Sequence, residues 1–213
     1  MMRYIDMETW PRRAHFRHFI GLAYPHIGLC APVDLTAFYP AVKQRGVSFS
    51  VAMAYVLARA ANAIPEFRCR IRKETVVEHA VVHPSTTVLT GQDLFSFCNI
   101  EYTADFSLFT AFAEERIAYV KEHPTLEDES GQDDLLYMTT IPWVSFTSFV
   151  HPIDLNPADS IPRFAWGKRF EESGRLRMPL NVQVHHALMD GIHIGRFYEA
   201  VQECLQQPGL ILD

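Results

Sequence analysis

His185 and His186 stand side by side, with Asp190 and Gly191 a few residues on. An imidazole titrates near neutrality, and one fixed at the end of a rigid element can take a proton from a bound substrate. The approach to the pair reads MPLNVQVH over residues 178–185. Leu180, Val182 and Val184 alternate there with Asn181 and Gln183, the period of a strand with one face in a core. Gly191 permits a tight turn. After it Ile194, Phe197, Tyr198, Val201 and Leu205 recur at helical spacing. A strand therefore carries the histidines to a turn, and a helix leads away.

Neighbouring residues on a strand point to opposite faces, so only one of the two histidines faces a given substrate. Two other readings stay open. Either histidine can be held purely by packing. A His-His-Asp metal site is the second, although the strand splits the pair and no cysteine stands nearby.

The rest of the chain must position this turn. Residues 10–19 read as a short helix with Pro11 in its first turn, and residues 23–33 as a strand. Asp34 or Thr36 can cap a helix running through Lys43. Ser48 or Ser50 opens a mostly buried helix that Pro65 ends. Short strands follow at 68–71, 75–78, 86–89 and 94–100, with Lys73-Glu74 as a hairpin tip. Residues 104–123 form an amphipathic helix whose stripe of Phe106, Phe109, Phe112, Ile117 and Val120 belongs to core or subunit contact. The acidic stretch 125–134 reads as an exposed loop. A strand at 136–141 turns out through Pro142-Trp143. Residues 152–162 are loop, and strands at 163–170 and 176–185 meet across 171–174. This mixture predicts an α+β fold with one large mixed sheet, as a single domain over residues 1–213.

Of the 213 residues 48% are hydrophobic, which suits a soluble globular chain. A net charge of -6 argues against nucleic acid as the main partner. Cys30, Cys69, Cys98 and Cys204 form no CxxC pair, so buried thiols are expected rather than a disulfide frame. No leader-like or membrane-spanning run is seen, which leaves the cytoplasm by elimination.

The His-His-x-x-x-Asp-Gly motif at the end of its strand resembles the chloramphenicol acetyltransferase family. So do Pro142-Trp143-Val144-Ser145-Phe146-Thr147-Ser148-Phe149, Pro65-Glu66-Phe67-Arg68 and Trp10-Pro11-Arg12-Arg13-Ala14-His15-Phe16. The landmarks keep the family's order and nearly its spacing. The resemblance implies a two-layer CoA-dependent acyltransferase fold, assembled as a homotrimer with active sites between subunits. It implies transfer of an acetyl group from acetyl-CoA to a small-molecule hydroxyl, with no metal. His186 would be the general base and His185 structural. Arg12 would pair with Asp190 and fix the catalytic loop. Thr139 stands where the family has a serine that stabilises the oxyanion. Lys168 matches a lysine near the CoA 3′-phosphate, and Trp143 lies in the same CoA-binding region.

The sequence also departs from the family. Ala165 replaces a threonine that helps to hold an ordered water, and Ser48 replaces a basic residue before the second long helix. The acceptor-pocket positions read His18, Phe19, Ala23, Pro25 and Ile27, with Phe95 at an aromatic position and Phe97 where a small residue is expected. Two function classes follow: an active O-acetyltransferase, or a non-catalytic trimeric homologue that binds CoA or a small ligand. A dihydrolipoyl acyltransferase core shares the motif, but no lipoyl domain or Pro/Ala-rich linker is evident.

Overall fold

In chain order the strands are β1 (Met2–Tyr4), β2 (His26–Asp34), β3 (Cys69–Arg72), β4 (Thr75–His79), β5 (His83–Leu89), β6 (Phe95–Asn99), β7 (Leu135–Ile141), β8 (Arg163–Gly167), β9 (Phe170–Glu172) and β10 (Arg175–His185). The helices are α1 (Arg13–Phe19), α2 (Phe38–Gln44), α3 (Phe49–Asn62), α4 (Phe106–Glu122), α5 (Gly191–Gln206) and α6 (Gly209–Leu212). A computed structural model describes residues 1–126 and 131–212, so the middle of the loop expected at 125–134 lies outside the described residues.

The large sheet runs β2-β10-β8-β7-β5-β6, and β9 pairs with β10. It is mixed: β7 is parallel to both β5 and β8, and the other pairings are antiparallel. β1, β4 and β3 form a separate three-stranded sheet. This is the α+β architecture expected, and it places the histidine-bearing strand between β2 and β8.

Leu180, Val182 and Val184 are fully buried, as the alternation predicts. Asn181 and Gln183 are buried too, each 3% exposed, so the expectation of one solvent-facing side is corrected. The segment leaving β7 lies over that polar face. The His151 N–H donates to Gln183 Oε1 at 3.1 Å, and the Lys168 N–H to the Val144 carbonyl at 2.9 Å. Gly167 makes this approach possible, since a Cβ there would sit 2.7 Å from the Val144 oxygen and 2.8 Å from Pro179 Cγ. On the opposite face Phe197 of α5 stacks on Phe164 and Phe67, with ring centroids 5.0 and 4.9 Å apart. Burying an aromatic ring fully is worth about 1.5–3 kcal/mol, so this stack holds α5 firmly behind the strand.

Boundaries shift in ways that local chemistry explains. α1 begins only at Arg13, leaving Trp10 to Arg12 in the preceding turn. The strand expected at 163–170 divides into β8 and β9, because Lys168 and Arg169 leave the ladder at the surface. β1 was not anticipated: its three exposed residues carry no buried alternation, and it forms by pairing with β4. Ser48 does stand at the N-cap of α3, but without a side-chain cap bond. Asp105 caps α4 by accepting from the Leu108 N–H at 2.9 Å.

Candidate active site

The end of β10 treats its two histidines differently. His185, the last strand residue, is 1% exposed and packs edge-on against His26 with centroids 5.0 Å apart. Burial pushes its pKa down to about 4, so it is neutral at physiological pH. His186 stands one residue beyond. Its N–H donates to the Pro25 carbonyl at 2.7 Å, which ties the turn to the residue before β2. Its ring stacks on Phe19, with centroids 3.8 Å apart and planes at 21°.

Nδ1 of His186 lies 2.9 Å from the Met189 carbonyl oxygen. A carbonyl only accepts, so Nδ1 carries the hydrogen and the Nε2 lone pair of the neutral ring is free. Asp190 Oδ1, 3.2 Å from the same nitrogen, favours that tautomer. The arrangement is that of a ring held ready to receive a proton at Nε2.

Arg12 braces the turn. Its Nη1 and Nη2 donate to the two carboxylate oxygens of Asp190, the second at 2.8 Å. Nε donates to the Ala187 carbonyl at 3.0 Å and Nη2 also to the His186 carbonyl at 2.7 Å. One guanidinium therefore grips both the aspartate and the backbone of the His186 turn. The Arg12 hydrogen bond holds the Asp190 carboxyl below its ordinary range, against the opposing effect of burial. Asp190 is committed further as the N-cap of α5. Its backbone carbonyl accepts from the His193 N–H at 3.0 Å, and its own N–H donates to His193 Nδ1 at 2.9 Å. With both carboxylate oxygens engaged by Arg12, Asp190 has a positioning part. His193 went unnoticed in the sequence. Its signal was a histidine three residues after the motif aspartate, where a capping-box partner stands.

The other candidate residues separate into groups. Phe19 touches His186. Pro25 is buried beside it, Ile27 is half-buried on β2, and His18 and Ala23 are exposed. Thr139 lies elsewhere in the chain. Cross-strand registers align Phe97, Thr87, Thr139, Ala165, Asn181 and Cys30 in one row across the sheet. His186 is five residues beyond Asn181, so Thr139 is about 16 Å away along the strand and about 10 Å across it. Within one chain the candidate base and the candidate oxyanion donor do not meet. Phe95 and Phe97 accompany Thr139, on β6, with ring centroids 5.7 Å apart.

A groove of about 440 Å³ lies behind this row, lined by Ser48, Thr140, Trp166 and the exposed Lys168 and Arg169. The Arg169 guanidinium is 4.2 Å from the Tyr39 ring centroid and 5.0 Å from that of Phe49. Arg169 was missed in the sequence, although it directly follows Lys168. A cavity of about 250 Å³ shares Ser48, Ser50, Thr140 and Trp166 with the groove and reaches Thr87. Trp143 is 69% exposed on the turn after β7.

The comparisons with known proteins identify the class of protein that carries this turn and this mixed sheet: an acyltransferase. The family model for chloramphenicol acetyltransferase matches residues 1–202. A chloramphenicol acetyltransferase from Escherichia coli is 34% identical over 204 residues, covering 93% of this chain and 91% of the other. A solved structure of a chloramphenicol acetyltransferase superposes with a TM-score of 0.86 at 26% identity, over 96% of this chain and all of that one. The cubic core of the pyruvate dehydrogenase multienzyme complex shares the fold, with a TM-score of 0.66 at 21% identity over 94% of this chain and 89% of the other. The chain belongs to the chloramphenicol acetyltransferase family.

Proposed function

We propose that this acetyltransferase moves an acetyl group from acetyl-CoA to a hydroxyl of chloramphenicol, or of another small hydroxylated acceptor, directly within a ternary complex. The observation that carries this reading is the His186 Nδ1 to Met189 carbonyl contact, which leaves Nε2 as the free acceptor. Nε2 takes the acceptor hydroxyl proton while that oxygen attacks the thioester carbonyl. The carbonyl electrons move onto oxygen, and the Thr139 hydroxyl donates to this oxyanion. When the tetrahedral centre collapses, the sulfur leaves as thiolate and recovers the proton from the imidazolium. No covalent acyl-enzyme is needed.

The cationic rim of Lys168 and Arg169 suits the phosphate-bearing end of CoA, with Trp143 nearby. The narrower cavity then runs toward Thr87. Phe19, Ala23, Pro25 and Ile27 line the acceptor side at His186, and Phe95 and Phe97 the side at Thr139. The separation of Thr139 from His186 within one chain supports sites shared between two subunits, in a homotrimer. Each chain is then one cytoplasmic domain spanning residues 1–213. Among the described residues no helix is long and apolar enough to cross a membrane.

Thiol release from acetyl-CoA, with chloramphenicol as acceptor, tests the reading. Chloramphenicol-dependent release, with a product one acetyl group heavier, is expected. Ala165 is fully buried and carries no polar side chain, which favours the non-catalytic alternative in one respect. Acetyl-CoA binding without release, for chloramphenicol and for a panel of small alcohols, would establish that alternative.

A further inference from the structure

We propose that Thr87 is a positioning residue for the oxyanion donor, directing the Thr139 hydroxyl proton toward the reacting carbonyl. The inference rests on the reading of Thr139 as that donor. Thr87 Oγ1 lies 2.9 Å from Thr139 Oγ1, across the parallel pairing of β5 with β7. Thr139 sits between Thr87 on one side and Ala165 on the other. Ala165 is fully buried and offers only a methyl group, so Thr87 supplies the hydroxyl flanking Thr139 in this row.

A hydroxyl has one proton and two lone pairs. If Thr139 spent its proton on Thr87, an oxyanion would face oxygen lone pairs and be repelled. The productive arrangement runs the other way: Thr87 donates to Thr139, and Thr139 donates to the oxyanion. A hydroxyl that accepts a hydrogen bond is polarised into a better donor. The bond also fixes the rotamer of Thr139, a β-branched side chain whose χ1 choices are few. Thr87 is half-buried and borders the cavity that adjoins the cationic groove.

Substitution separates this part from a packing role. Thr87→Val keeps the shape and removes the hydroxyl, and is expected to lower kcat about tenfold with KM values held within about twofold. Thr87→Ser restores the hydroxyl and should recover kcat to within about twofold of wild type. In a Thr139→Val background, Thr87→Val should add less than about a further twofold loss, because the relay already lacks its end. All rates are read as thiol release from acetyl-CoA, with chloramphenicol and separately with water as acceptor, since both attacks pass through an oxyanion. A full additional loss from Thr87→Val in the Thr139→Val background, or failure of Thr87→Ser to rescue, would overturn the inference. If Thr139→Val lowers kcat while Thr87→Val does not, the inference fails and the donor assignment survives. Unchanged kcat in Thr139→Val removes the donor assignment itself, and absence of release from wild type with either acceptor overturns both.

Discussion

His186→Ala is expected to lower turnover by about 10²–10⁴-fold, the usual contribution of a positioned general base. Assembly and melting should change little. The ring is a quarter exposed, and the turn keeps its backbone bond to Pro25 and its Arg12 contacts without it. The loss should appear in kcat and kcat/KM together, since Nε2 acts on a proton that moves only during the reaction. Two contacts hold the ring, Phe19 against its face and Met189 at Nδ1, and the Pro25 carbonyl holds the backbone N–H of the same residue. A ring so restrained pays little to reach the reactive geometry. A variant that kept near-wild-type rates would remove His186 as the base.

Arg12→Ala should be the most damaging substitution away from the reacting atoms. It removes both hydrogen bonds to Asp190 and strands the His186 and Ala187 carbonyls. Breaking a fully buried ion pair costs about 3–5 kcal/mol; here the aspartate is about a third exposed, so about 2–4 kcal/mol is expected. For a chain of this size that is a fall in melting temperature of about 5–12 °C. Turnover should fall too, because the turn that aims His186 loses its brace. The sign of the pH dependence follows from the depressed Asp190 carboxyl. Its stabilisation is present in full above its ordinary pKa of 3.8 and is lost as pH falls through the lower folded value. Wild type should therefore lose more stability than Arg12→Ala on acidification in that acid range. Equal melting temperatures and rates for the two proteins would refute the bracing role.

The turn that carries His186 was legible in the sequence because it depends on local order. Alternation brings β10 to its end, and the helical spacing from Ile194 to Leu205 marks α5; the place of Asp190 at the N-cap was not read, and Gly191 does not adopt the left-handed conformation that a tight turn would need. The Arg12 pairing needed the family resemblance, since 178 positions separate the partners and no period links them. The burial of Asn181 and Gln183 was not legible, because it depends on where the segment after Trp143 lies. Polar residues on a strand look alike in sequence whether water or a loop covers them. Thr87 was invisible for a related reason. Its importance lies in standing beside Thr139 across a parallel pairing, and parallel strands meet through long connections that leave no local signature.

The central claim is that His186 of one subunit works against Thr139 of another. Co-expression of His186→Ala with Thr139→Val chains, carrying different tags so that mixed trimers can be isolated, tests it most directly. Each variant alone should be poorly active. In a mixed trimer of either composition one site of the three unites an intact His186 with an intact Thr139 from a neighbour, so about a third of wild-type thiol release is expected from the isolated mixed trimers. Mixed trimers no more active than the average of the two variants would contradict the shared site, and would place base and oxyanion donor outside one reaction centre.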